Sequence, residues 1–162
     1  MDKRLRIAGI VGAIVFSIIV LTSPNDPIPL PELPSAKLEN PSVEILAENL
    51  ENPRAIAIAD DKIFVTEKDG RIRVVYNNEL LDEPLATLRP VDVFDGGLLG
   101  IATHPDFKNN HFLYVFLTYE EDEVLWNKVL QITESNNKLK DAKTIFDKIP
   151  GSVFTNGGFL KF

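Results

Sequence analysis

The sequence predicts an all-β chain: a β-propeller represented by about two blades plus the start of a third, preceded by one N-terminal transmembrane helix. Three observations lead there. Short β-rich runs alternate with turn residues from Val43 onward, the runs recur in successive sets, and a basic-flanked apolar stretch opens the chain.

The first set comprises Ala55 to Ala59, Ile63 to Thr66 and Arg71 to Tyr76, broken at Asp60-Asp61 and at Lys68-Asp69-Gly70. Runs rich in β-branched residues, bounded by Asp and Gly, read as a three-stranded antiparallel meander. A second set follows at Leu98 to Thr103, Phe112 to Tyr119, Val124 to Thr133 and Lys143 to Ile149, with turns at Pro105 to Asn110, Glu120 to Glu123 and Glu134 to Asn137. A third opens at Gly158 to Phe162. The first strands of successive sets start 43 and 60 residues apart, bracketing the roughly 40 to 50 of propeller repeats. A β-sandwich also has short strands with a turn every 8 to 12 residues or so, so the pattern alone leaves both architectures open. Two blades cannot close a ring of about 4 to 8, which leads us to expect a longer parent chain.

At the amino terminus, Lys3, Arg4 and Arg6 precede an apolar run from Ile7 to Leu21 interrupted only by Ser17. At 1.5 Å per residue that run spans roughly 22 Å, the short end of a bilayer crossing. Basic residues on its N-terminal side place that end in the cytoplasm and the rest of the chain outside. No A-x-A-like cleavage signal follows, which favours an uncleaved anchor over a signal peptide, and basic flanks argue against a buried core helix. Pro24, Pro27, Pro29, Pro31 and Pro34 then predict a stiff polyproline spacer. The expected organisation is an anchor or signal segment at 1–23, a Pro-rich linker at 24–41 and a truncated propeller domain at 42–162.

Composition narrows the partners. The net charge is -7, and because the first six residues sum to +2 the remainder carries -9; phosphate binding needs clustered Lys and Arg, so nucleic acid is not an expected partner. The absence of cysteine excludes disulfides, thiolate zinc sites and thiol nucleophiles. Two histidines leave little for a His-based metal site, and no metal ligands are assigned.

Gly96 to Phe107, reading GGLLGIATHPDF, is followed by Lys108-Asn109-Asn110 and the strand from Phe112 to Tyr119. Upstream stand Asn52-Pro53-Arg54-Ala55 and Val65-Thr66-Glu67-Lys68-Asp69-Gly70-Arg71-Ile72. From about Val43 to its end the chain resembles the glucose/sorbosone dehydrogenase family, the soluble quinoprotein sugar dehydrogenases. The resemblance implies a six-bladed propeller that oxidises aldose sugars with pyrroloquinoline quinone, assisted by Ca2+, and passes the electrons to an acceptor. It also implies a histidine base acting on the anomeric hydroxyl, in a segment matched here by Thr155-Asn156-Gly157-Gly158. Thr155 holds the histidine position, and a hydroxyl cannot accept a proton near neutral pH as imidazole does. Asp95 stands where the family often has a cofactor-contacting Gln, two residues before Gly-Leu-Leu-Gly. Asp95 and Asn156 are the candidate cofactor contacts and Thr155 the candidate catalytic position.

Simpler roles compete for several residues. His104 and Asp106 are expected to fix a strand-to-turn bend, with the Asp106 carboxylate accepting backbone hydrogen bonds. His111 is expected to face solvent, and Glu120 to Glu123 to form a solvated hairpin tip. Gly96, Gly97 and Gly100 lack a phosphate loop's lysine and strand-to-helix context, so they are expected to permit close backbone approach. Asp95 could instead cap the turn those glycines make. Trp126 and Phe112 are read as packing residues. The function expected of the full-length parent is a membrane-anchored, extracytoplasmic aldose dehydrogenase, and the fragment alone is expected to be inactive. A propeller that has lost its base and serves as a surface binding module is the alternative. A calcium-dependent, lactonase-like hydrolase would need axial carboxylate clusters that the sequence does not display.

Overall fold

The computed structural model describes residues 43–162. The expected membrane anchor and Pro-rich linker lie outside the described residues. The rest forms two antiparallel sheets in chain order. The first contains β1 (Pro53–Ala59), β2 (Lys62–Glu67), β3 (Arg71–Tyr76), β4 (Glu79–Leu80) and β5 (Ala86–Thr87). It runs β1-β2-β3-β4, and β5 also pairs with β3. The second contains β6 (Leu98–Thr103), β7 (Phe112–Glu121), β8 (Val124–Ser135) and β9 (Lys138–Pro150), in the order β6-β7-β8-β9. Apart from the β3–β5 pair, strands that pair are neighbours in the chain, the meander order of a propeller blade.

Type and order of the strands follow the sequence expectation; β9 begins five residues before the expected Lys143, and there are three further differences. The first sheet gains the two-residue strands β4 and β5, too short for periodicity to reveal. The expected turn at Pro105 to Asn110 contains one helical turn, α1 (Phe107–Asn110). Gly158 to Phe162, expected to open a third set, joins neither sheet.

The two sheets share one core. From the first sheet come Ala57, Phe64, Ile72, Val74, Leu85 and Ala86, and from the second Leu98, Ile101, Leu113, Val115, Leu117 and Ile132, with Phe107 of α1 packed edge-on against Phe64 at 5.5 Å. In β1 the residues turned to this core are all alanines, Ala55, Ala57 and Ala59. Small side chains let β1 lie close to β6, the first strand of the neighbouring sheet. Leu98 and Ile101 are an odd number of residues apart, so strict alternation would put them on opposite faces of β6. The register shift between them restores both to the core.

Polar groups complete the stack. Thr66 Oγ1 donates to the Leu99 carbonyl at 2.8 Å and accepts from the Ala55 amide at 3.1 Å. At the other end Lys62 Nζ lies 2.9 Å from the buried Glu134 carboxylate, and Thr103 Oγ1 donates to the Ile58 carbonyl at 3.2 Å. Three hairpins turn on residue pairs with positive φ, namely Asn77-Asn78, Asp122-Glu123 and Asn136-Asn137. That is the geometry of the two-residue turns whose twist matches antiparallel strands. The acidic run is thus a hairpin tip, as expected.

His104 does fix the bend into α1. Its Nδ1 accepts the Asp106 amide at 3.0 Å and lies 2.7 Å from the Asn110 side-chain amide. The role expected of Asp106 falls to its main chain instead. The Asp106 carbonyl accepts from the Asn109 and Asn110 amides at 3.1 Å, while its carboxylate binds the Asn109 side chain. His111 is exposed, with Nδ1 3.5 Å from Glu134.

Candidate functional site

Three chain segments meet at a cavity of about 400 Å³. One is the start of β1, with Arg54, Ala55 and Ile56. The second is the entry and middle of β6, with Asp95, Leu99, Gly100 and Ile101. The third is Gly157 to Leu160. The two sheets thus contribute the strands nearest their mutual contact, and the third segment, which follows β9, crosses β6 at Gly100.

Glycine makes this convergence possible. A methyl group at Gly100 would overlap the Gly158 carbonyl oxygen, so the third segment can cross β6 only because residue 100 has no side chain. Gly97 adopts φ of 120°, a conformation L residues rarely take. A Cβ there would lie 2.6 Å from the Lys68 carbonyl, which accepts the Leu98 amide at 3.0 Å. Close backbone approach, expected for these glycines, is what they provide.

The structure brings Asp95 and Asn156 together. The Asn156 amide donates to Asp95 Oδ2 at 3.4 Å, and the Asp95 amide donates to the Val153 carbonyl at 2.8 Å. Asp95 Oδ1 lies 3.8 Å from Arg54 Nη2, in a pair that is about one-third to two-fifths exposed. Such a pair contributes little to stability, so its worth lies in the charge it presents. Asp95 accepts no hydrogen bond from the Gly96 or Gly97 amide, so instead of capping the glycine turn it clasps the neighbouring loop.

Asn156 is buried, and its side-chain amide is engaged by protein groups. Its Oδ1 accepts from Ser152 N–H at 2.9 Å and from Asn127 Nδ2 at 3.2 Å, while its Nδ2 donates to the Ser152 carbonyl. Asn127 in turn receives the Thr118 hydroxyl at 2.7 Å and donates to the Pro150 carbonyl at 3.2 Å. This buried chain from Thr118 through Asn127 to Asn156 anchors the loop that carries the site. Nothing in the local sequence around Asn127, a polar residue inside an apolar strand, announced it beyond the polarity itself. Arg54 was visible only as part of a motif. Thr155 is exposed, adjacent to Asn156 and outside the cavity lining.

Among the described residues no group of three or more His, Asp or Glu could hold a metal ion. One cation, Arg54, and one carboxylate, Asp95, border the cavity. A planar quinone bearing three carboxylates needs more positive charge than one guanidinium already facing an aspartate. The residues present therefore do not amount to its full site.

Comparison with known proteins places these features. The chain is 31% identical over 151 residues to quinoprotein glucose dehydrogenase B of Acinetobacter calcoaceticus, covering 87% of this chain and 31% of that enzyme. The apo-form of the soluble aldose sugar dehydrogenase of Escherichia coli superposes with a TM-score of 0.64 at 26% identity, over 74% of this chain and 37% of that one. The aldose sugar dehydrogenase of Streptomyces coelicolor in its PQQ-bound form superposes with a TM-score of 0.62 at 26% identity, over 72% and 36%. The chain thus spans about a third of the length of these relatives. The Glucose / Sorbosone dehydrogenase family profile matches residues 50–162, and the chain belongs to that family.

Proposed function

We propose that this chain supplies two adjoining blades, and the segment entering a third, of a propeller that oxidises aldose sugars with pyrroloquinoline quinone and hands the electrons to a separate acceptor. The observation that carries this reading is the cavity where β1, β6 and Gly157 to Leu160 converge, lined by Leu99 and Gly100 of the Gly-Leu-Leu-Gly motif and by the two glycines of Thr-Asn-Gly-Gly. Arg54 and Asp95 would orient a polar ligand there, one as donor and one as acceptor. The quinone, when bound, supplies the oxidising power. No Ca2+ ligand is assigned to the described residues. The test is dye-coupled oxidation of a panel of aldoses by the full-length protein loaded with quinone and Ca2+. Absence of turnover with every aldose, despite bound quinone, would defeat the reading.

The same proposal places the N-terminal segment in a membrane with the propeller outside. Its support is the Lys3, Arg4 and Arg6 flank and the apolar run that follows. Protease added to intact cells should remove the acidic part, and protection from digestion would reverse the orientation.

Thr155 at the histidine position supports a second reading, a propeller that binds carbohydrate at the cell surface without oxidising it. Quinone titration separates the two, since a pure binding module has no need to retain the cofactor.

A further inference from the structure

We propose that Glu67 is a positioning residue for Arg54, holding through the main chain of residues 51 to 53 the β-bulge that brings the Arg54 side chain to the cavity. This deepens the aldose reading above and rests on it for the ligand. The groups involved all belong to the first sheet and the segment leading into it.

Arg54 is the residue of β1 without a partner in β2. Pro53 pairs with Glu67 and Ala55 with Thr66, so β1 advances two residues where β2 advances one. An extra residue of this kind bends its strand and re-aims a side chain. Two polar residues of β2 with no exposed surface, Thr66 and Glu67, hold the bulge from either side. Beyond Arg54, Thr66 Oγ1 accepts the Ala55 amide at 3.1 Å. Before it, Glu67 Oε1 accepts the Glu51 amide at 2.6 Å, and the Lys68 amide donates to the Asn52 carbonyl at 3.1 Å. Asn52 has φ of 47°, a left-handed conformation uncommon outside glycine. The clamp therefore fixes a segment that would otherwise favour another path.

Glu67 is itself fixed. Arg71 Nε donates to its Oε2 at 2.7 Å, and Arg71 Nη2 reaches the Glu51 carboxylate at 2.6 Å, tying Glu67 and the lead-in segment together a second time. Burying a carboxylate costs desolvation that an apolar side chain of similar size would not. Its place is explained by what its oxygens hold. Arg54 borders the cavity and faces Asp95 at 3.8 Å, and displacing an orienting group by about 1 Å is enough to weaken its action severely.

The test uses the full-length protein, loaded with quinone and Ca2+ for activity. Glu67→Ala should raise KM for glucose, and Kd for the unreactive methyl β-glucoside, about tenfold with kcat little changed. Arg54→Ala should do the same, and adding Glu67→Ala to it should weaken binding no further, because both remove one contact. Glu67→Gln keeps an acceptor at the same reach and should stay within about twofold of wild type, whereas Glu67→Asp, one methylene short, should raise KM about fivefold. That pair decides the matter if Glu67→Ala does not fold. Val74→Ala, which loses stability from the core of the same sheet, should leave KM unchanged. An unaltered KM in Glu67→Ala and Glu67→Asp, a loss that adds to that of Arg54→Ala, or an equal rise in Val74→Ala overturns the positioning role. Hydrogen exchange needs no sugar. In Glu67→Asp the Ala55 amide, on the far side of Arg54 from Glu51, should exchange about tenfold faster while Val74 keeps its protection. Unchanged exchange at Ala55, or acceleration across the whole sheet, overturns the clamp. If exchange responds in this way but no aldose is oxidised and the glucoside does not bind, the aldose reading fails and the positioning of Arg54 stands. If aldoses are oxidised and the Glu67 variants alter neither KM nor exchange, the positioning role fails and the aldose reading stands.

Discussion

Gly100 in β6 and Gly158 in the following segment are in backbone contact, with the Gly158 carbonyl oxygen occupying the space a side chain on Gly100 would need. Gly158 is equally constrained. It has φ of 107°, and a Cβ there would meet Phe116 at 2.8 Å and Leu99 at 3.0 Å.

Gly100→Ala is expected to destabilise the protein by about 2 kcal/mol. Replacing glycine by alanine where the backbone permits it stabilises by up to about 1 kcal/mol through the unfolded state. Here the added carbon meets a backbone oxygen that no rotamer change can move, and overpacking of this kind costs about 1 to 3 kcal/mol. A urea midpoint unchanged or raised in Gly100→Ala would contradict the contact.

The second expectation concerns Asn127, whose side chain links Thr118 in β7 to Asn156 in the site loop. Asn127→Ala leaves the Thr118 hydroxyl and the Pro150 carbonyl without their partner in a buried setting. A loss of about 2 kcal/mol follows from the penalty for unsatisfied buried polar groups. Thr118→Val should cost less, because Asn127 keeps its other bonds. The double variant should cost less than the sum, since both substitutions break the same hydrogen bond. Strict additivity in denaturant unfolding would show that the chain of bonds is not coupled.

Much of this architecture was legible in the residues, and what was not has physical causes. Val, Ile and Phe alternating between Asp, Asn and Gly turns marked β1, β2, β3, β6, β7 and β8 within a few residues. Glu79–Leu80 and Ala86–Thr87 are too short to carry a period, and their pairing is imposed by β3. The first half of β9 reads Lys-Leu-Lys-Asp-Ala, which has no apolar face because that edge strand is exposed along nearly its whole length. Its β conformation comes from pairing with β8. The bulge between Leu98 and Ile101 contains Gly100, a strand glycine that marks such a site without giving its register, yet it decides which side chains enter the core. In the site, the glycines could be understood before the fold was known, because only close approach explains them outside a phosphate loop. The coupling of Asp95 to Asn156 could not, since it joins residues 61 apart.

The third expectation is a pH dependence centred on Tyr119 and Asp147. Partial burial pushes the Tyr119 phenol above its ordinary value of 10.0, and its hydrogen bond to Asp147 adds to the shift. The same bond, with the Lys148 amide, holds the Asp147 carboxyl below its ordinary 3.8. Folding thus favours ionised Asp147 and neutral Tyr119. The Asp147 contribution is present above the ordinary carboxylate value and is lost as pH falls through the lower folded value. The Tyr119 contribution is present below the ordinary phenol value and is lost as pH rises through the higher folded one. Tyr119→Phe should therefore differ most from wild type between about pH 4 and pH 10, the difference shrinking at both extremes. An offset in urea midpoint that is constant with pH would refute this account.

The last expectation tests Thr155. General-base assistance contributes about 10² to 10⁴ in rate, and a threonine hydroxyl beside the buried Asn156 does not hold a proton-accepting lone pair of the required basicity. In the full-length protein, Thr155→His should raise dye-coupled aldose oxidation, with a new rate dependence on pH near the ordinary imidazole value of about 6.5. Thr155 is exposed and outside the cavity lining, so the substitution should leave the urea midpoint nearly unchanged. Robust wild-type oxidation that Thr155→Ala does not alter would assign the base to another residue. The isolated 162-residue chain should show no quinone-dependent turnover at all. It spans about a third of its relatives and borders the cavity with one cation, whereas the reaction requires cofactor and sugar held at near-contact distance by a complete site. Cofactor-dependent oxidation by that chain alone would show that the two sheets and the segment after them suffice.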